Sequence, residues 1–216
     1  MQCNYGKTVS MKKRLPADSE DALGKEALRT HYRPSKVKLL FVGESPPASG
    51  RFFYRANSGL YRAIRSTFIK VFPHLEKANF LDAFQFLGCY LVDLSCTPVD
   101  HLHPRERRQA CLDGEVRLSK MIRQFQPDIV VTVVRSIVAN VERAQEQADW
   151  KGTQLKLPYP GRWQHHRTVF EKGLVPLLRN QLAGQSPTFL RNRTAISSLY
   201  STDQSGCVLS IPASGD

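Results

Sequence analysis

Val37-Lys38-Leu39-Leu40-Phe41-Val42, cut short by Gly43-Glu44-Ser45-Pro46-Pro47, is the stretch on which the fold turns. The first six residues are aliphatic, aromatic or β-branched apart from one lysine, and too few for an ordinary helix, so they predict a strand buried on both faces. Gly43 and the pair Pro46-Pro47 continue neither helix nor sheet, so the strand must end in a loop. That junction is the first place to look for chemistry.

Working outward, residues 18–32 predict a helix with Ala22/Leu23 and Ala27/Leu28 as its apolar pairs, stopped by Arg33-Pro34 because the residue before proline avoids the α region. After Asn57-Ser58-Gly59, the side chains Leu60, Tyr61, Ile64, Phe68, Val71 and Phe72 recur at helical spacing, with Arg62, Arg65 and Lys70 off the stripe. A helical stretch over 75–87 leads to a strand at 89–92 and an irregular segment over 93–104. A long helix over 105–125 carries Cys111, Leu118, Ile122 and Phe125 on one stripe. A strand at 129–134, a helix at 136–147, a strand at 153–157 and a closing helix at 164–182 complete the pattern. Such alternation predicts an α/β fold, three-layer αβα, with a central four-stranded, mostly parallel sheet, and ligands in such sheets bind beyond the carboxyl ends of the strands.

The chain of 216 residues suits one main domain, expected over 17–184, between a flexible basic arm at 1–16 and a disordered Ser/Thr-rich tail at 185–216. Lys and Arg total 31 against 19 Asp and Glu, a net charge of +12, which favours a polyanionic partner, DNA first; the bland alternative is charge that only keeps the protein soluble. No apolar run approaches the roughly 20 residues needed to cross a bilayer, and the opening residues lack the apolar stretch of a secretory signal, so no membrane partner and a cytoplasmic location are expected. Cys3, Cys89, Cys96, Cys111 and Cys207 are odd in number and form no Cys-x-x-Cys pair, which argues against a disulfide framework.

Glu44 is a carboxylate fixed between Gly43 and Ser45-Pro46 just past a buried strand. It is placed either to stabilise positive charge on a sugar and position a water, or to be a solvated loop glutamate. Ser45 does not fit a nucleophile elbow, because Pro47 stands where the closing glycine would be. Asp93 is the nearest polar residue in the second strand region. It either accepts from a base edge, or caps the following loop or pairs with an arginine. His101 and His103 beside Asp100 are badly spaced for one metal, and phosphate contacts by Arg105, Arg107 and Arg108 are the better use of that loop.

Gly43-Glu44-Ser45-Pro46-Pro47, with Gly50-Arg51-Phe52-Phe53 and Ser58-Gly59-Leu60 downstream, resembles motif A of the uracil-DNA glycosylase superfamily, in particular branches with Gly-Glu-Ala-Pro-Gly and a later Gly-Arg-x-Phe. The likeness extends over roughly residues 37–182. It implies that Glu44 is the catalytic, water-positioning carboxylate and that Phe53 stacks on a flipped base, with Phe52 taking that place if the register differs by one. Ser45 and Asp93 would line the base pocket, with Arg51, Arg105, Arg162, Trp163, His165 and His166 on the DNA.

In this family the second-strand region commonly carries an Asn that reads uracil. Asp93 can only accept while ionised, which suits the exocyclic amine of a cytosine-type base. The family's His-Pro-Ser motif is replaced by Pro158-Tyr159-Pro160-Gly161-Arg162-Trp163, so Arg162, His165 or His166 would have to assist the departing base, and Trp163 would be either the wedge or a buried anchor of the last helix. Cys96 and Cys111 are spaced like two ligands of the family's iron–sulfur cluster, but the N-terminal Cys-x-x-Cys is absent, so neither cluster nor other cofactor is expected. Without the family's catalytic lysine, the resemblance implies a monofunctional enzyme, expected as a monomer, that hydrolyses the N-glycosidic bond of a modified base, akin to divergent antiphage members. Uracil or hypoxanthine repair, and a non-catalytic nucleic-acid-binding module, are the alternatives.

Overall fold

The computed structural model describes residues 17–161 and 163–182. The expected arm at 1–16, the expected tail at 185–216 and Arg162 lie outside the described residues. Helix α1 (Ala17–His31) precedes strand β1 (Leu39–Gly43), followed by α2 (Gly59–Val71), α3 (Phe80–Phe86), β2 (Cys89–Asp93), α4 (Pro104–Phe125), β3 (Ile129–Thr132), α5 (Val138–Gln147), β4 (Thr153–Lys156) and α6 (Gln164–Leu182).

All four strands run parallel in the order β2-β1-β3-β4, with Leu39 opposite Cys89 on one side and Ile129 on the other, and Ile129 opposite Thr153. Crossovers between parallel strands are right-handed, so a path stepping from β1 out to β2 and then back to β3 and β4 puts its helices on opposite faces. The packing agrees: α4 lies against α5, and α6 lies against α2. The result is a three-layer αβα fold. Strands β1, β2 and β3 are buried throughout, whereas the outer strand β4 is partly exposed.

Local differences from the sequence pattern have local causes. The expected helix over 75–87 divides into a 3-10 turn at Pro73–Lys77 and α3, because the Asn79 side chain accepts from Leu81 N at 3.2 Å and starts a new helix there. Helix α1 turns Leu28 toward the core but Ala27 and Leu23 outward. Leu23 is 59% exposed, while Lys25 and Arg29 are buried.

The outer edge of β2 is closed by a side chain. The buried Tyr54 hydroxyl donates to Leu91 O at 3.0 Å and accepts from Leu91 N at 2.8 Å, filling the place a further strand would take. Phe53, Tyr61, Phe68, Phe80 and Phe84 continue the aromatic packing from there, with neighbouring ring centres 5.2–5.7 Å apart. Among the described residues, no helix is long and apolar enough to cross a membrane.

Candidate active site

Carboxyl ends of parallel strands gather loops at one edge of the sheet, and a cleft of about 620 Å³ opens there. Each strand contributes to it: Gly43 to Ser45 from β1, Asp93 from β2, Val134 beyond β3, and Tyr159 and Gly161 beyond β4. Connections leave β1 in one direction and β3 in the other, so the space between these two strands is the topological switch point where such sheets bind ligands.

The Glu44 main chain is clamped by continuation of the sheet. Leu94 N donates to Gly43 O and Ser95 N to Glu44 O, both at 2.8 Å. Gly43 is required by this approach, since a Cβ there would lie 2.7 Å from Asp93 Oδ1. The Glu44 side chain, 13% exposed, is held by Arg107 through two parallel hydrogen bonds, Nε to Oε1 at 2.8 Å and Nη2 to Oε2 at 2.5 Å. Such a fork fixes the plane of the carboxylate. It also raises the Arg107 pKa further, chiefly through the hydrogen bond to Glu44.

Arg107 is delivered by the start of α4. Pro104 occupies the first turn, where its missing N–H costs nothing, and Glu106 accepts from His103 N at 3.1 Å. Arg107 lies four residues before Cys111 and so shares the inward stripe of the helix, while Arg105 and Arg108 are exposed. Of the three arginines, Arg107 alone is tied to Glu44. Helical phase is the sequence signal that separates them.

Asp93 has an arginine partner. Its buried carboxylate accepts from Arg29 Nη2 at 2.9 Å, and the same guanidinium sits over the Phe52 ring, 5.3 Å from its centre. Burial pushes the Asp93 pKa up, and Arg29 opposes that rise. Asp93 nevertheless borders the cleft. Sequence reasoning misses Arg29 because an arginine beside the inward Leu28 reads as a solvated charge rather than a buried one.

Phe52 and Phe53 both border the cleft and are both buried. Phe53 is the more constrained by other rings, with Tyr54 and Tyr61 set edge-on at 5.1 and 5.7 Å. Arg51 is exposed at the cleft margin. Two contacts stitch the facing loops together: Val99 N donates to Ser45 Oγ at 3.3 Å, and Ala48 N to both Asp100 oxygens at 3.2 Å.

Beyond β4, Tyr159 borders the cleft with 43% of its surface exposed, and Trp163 is 62% exposed just ahead of α6. Trp163 is therefore not a buried anchor of that helix. His165 is exposed and His166 half-buried on the first turn of α6. Tyr159 carries no distinguishing signal in the sequence, and its pKa is raised by burial. Burial likewise raises the Cys111 thiol, with the nearby Glu44 charge adding to it. Among the described residues no group of three or more His, Cys, Asp or Glu side chains comes together to hold a metal ion.

No family model matches the chain, and no curated protein matches its sequence.

Proposed function

We propose that this protein is a monofunctional DNA glycosylase, which takes one base of DNA into the cleft and hydrolyses its N-glycosidic bond to leave an abasic site. One observation carries the reading: a carboxylate, Glu44, held in fixed orientation at the switch point of the sheet, borders the same cleft as Phe52 and Phe53. Loss of the base leaves positive charge on the sugar, and a preorganised carboxylate stabilises that charge and positions the attacking water. The flat rings give the extruded base a stacking partner in place of its neighbours in the duplex.

The resemblance of residues 43–60 to motif A of the uracil-DNA glycosylase superfamily supports the same assignment, as does the net charge of +12. For the departing base, the Tyr159 hydroxyl is a candidate donor, since Tyr159 borders the cleft and a phenol carries its proton at neutral pH. The carboxylate of Asp93 favours a cytosine-derived base, whose exocyclic amine it would accept from. A modified cytosine in phage DNA is the substrate this reading puts first.

The rival reading is a non-catalytic nucleic-acid-binding module. What favours it is that both oxygens of Glu44 already accept from Arg107. The purified protein is incubated with oligonucleotides carrying cytosine, modified cytosines, uracil or hypoxanthine, then treated with alkali, which cuts at abasic sites. Cleavage confined to modified cytosine is the expected result, and cleavage at uracil or hypoxanthine would indicate repair. Binding without cleavage of any substrate would leave the module.

A further inference from the structure

On the far side of the Glu44–Arg107 pair lies a second cavity of about 400 Å³, between the first turns of α4 and the start of α5. Arg107, Arg108 and Arg143 line it together with Ser136, and Leu102 and Leu112 supply an apolar wall. Two of these arginines are fixed by carboxylates, each through Nε and Nη2. Arg107 commits Nε and Nη2 to Glu44, and Arg143 commits Nε and Nη2 to the buried Glu115, with Nη2 2.6 Å from Oε1. Asn140, donating to the same Oε1 at 2.7 Å, completes the support of Glu115.

This arrangement leaves Nη1 of both Arg107 and Arg143 without an acceptor among the described residues, on side chains 42% and 44% exposed. Arg108, one residue along, makes no hydrogen bond or ion pair to a described residue and is exposed. Three guanidinium groups therefore face one cavity with unused donors, two of them already locked in orientation. Planar donors held this way match the oxygens of a phosphate. The cavity is larger than a phosphate alone needs, and its leucine wall suits the sugar or base that carries it.

We propose that this second cavity is a nucleotide-phosphate site, formed by Arg107, Arg108, Arg143 and Ser136, which holds a phosphate of the strand next to the nucleotide in the main cleft. It rests on the glycosylase reading only for the identity of the neighbouring cleft's occupant. Because Arg107 belongs to both cavities, the phosphate fixes where along the strand Glu44 meets its sugar.

The test is binding alone. Fluorescence anisotropy with a short single-stranded oligonucleotide is measured across a salt series for the native protein, Arg108→Gln, the double variant Glu115→Gln/Arg143→Gln, and Lys172→Gln on exposed α6 as control. Arg108→Gln changes only a surface side chain and keeps the test valid if the double variant misfolds. The expected result is affinity weakened on the order of tenfold by Arg108→Gln and by the double variant. The salt slope should also become shallower by roughly 0.7 for each phosphate that is no longer neutralised, with the control unchanged. Competition by inorganic phosphate and by a deoxynucleoside monophosphate separates a free nucleotide from a strand phosphate as the ligand. Equal weakening in all three variants, or none in either cavity variant, overturns the site. Base release plays no part, so a protein that releases no base and still shows the selective loss would reject the glycosylase reading and keep the phosphate site.

Discussion

Arg29 Nη2 and Asp93 Oδ2 lie 2.9 Å apart in a buried contact that joins the first helix to the end of the second strand. The pair stands at the edge of the cleft, where burial pushes the Asp93 pKa up and the Arg29 charge opposes that rise. Removing one member of a buried pair strands the other, so Arg29→Met should cost roughly 3–5 kcal/mol of stability. Folding raises the Asp93 pKa, so the stability linked to this group is present below about 3.8 and is lost as pH rises through the higher folded value. Arg29→Met removes the main opposing influence and lifts that folded value further. Thermal melting should therefore show the largest deficit at neutral pH and a smaller one in acid; a deficit independent of pH would show that Asp93 is not the group left unpaired.

The same carboxylate is expected to read the base, which a competition assay measures in Asp93→Asn. The amide adds a donor for uracil O4, so the ratio of uracil to cytosine-type turnover should rise roughly ten- to a hundredfold, equivalent to about 1–3 kcal/mol. Asp93→Asn also leaves Arg29 facing a neutral partner, so the comparison is made at a temperature where the variant is folded. An unchanged ratio in that folded, active protein would remove the base-reading role and leave Asp93 as a structural partner of Arg29.

Sequence periodicity carries the strands and most helices because burial there is apolar and regular: Ile64 and Phe68 in α2, and Leu118 and Ile122 in α4, are inward as their spacing requires. The Gly43–Pro47 loop is equally legible, since no regular element accommodates it. What the pattern cannot show is a charge turned inward. Arg29, Arg107 and Glu115 satisfy themselves with partners far away in sequence, and a one-dimensional stripe gives no sign of those partners. Arg107 and Glu115 share one legible clue, their phase four residues either side of the buried Cys111. Tyr54 is a similar case, an aromatic residue whose hydroxyl completes a strand edge.

Tyr54→Phe should cost about 1–3 kcal/mol, because Leu91 N–H and C=O lose their partner in a buried place. Burial raises the Tyr54 pKa well above its ordinary value of 10.0. The linked stability is present below about pH 10 and is lost as pH rises toward the folded value, at up to about 1.4 kcal/mol per pH unit. The gap between native and Tyr54→Phe melting temperatures should accordingly narrow above pH 10. A constant gap would mean that Tyr54 does not ionise on unfolding in that range.

Glu44→Gln keeps the shape of the side chain and removes its charge. Base release in single turnover should fall by at least roughly a hundredfold, with DNA affinity changed little, because the carboxylate acts on charge that develops only as the bond breaks. Arg107 is a positioning residue in this scheme. Arg107→Met should lower the single-turnover rate while leaving the carboxylate in place, and Arg107→Lys should recover only part, since an ammonium cannot form the two-pronged contact. Normal turnover by Glu44→Gln would take Glu44 out of the mechanism.

Trp163 offers the cleanest separation of function from stability, because 62% of its surface is exposed and its loss removes little packing. Trp163→Ala should shift stability by no more than about 0.5 kcal/mol, as surface substitutions usually do. If the indole enters the stack when a base leaves it, the same change should reduce single-turnover release from duplex DNA, and Trp163→Phe should restore part of it with a smaller wedge. Single-stranded substrate has no stack to refill, so its rate should be nearly unaffected. Equal loss on both substrates would assign Trp163 to general DNA contact, and a large drop in melting temperature would instead make it part of the fold.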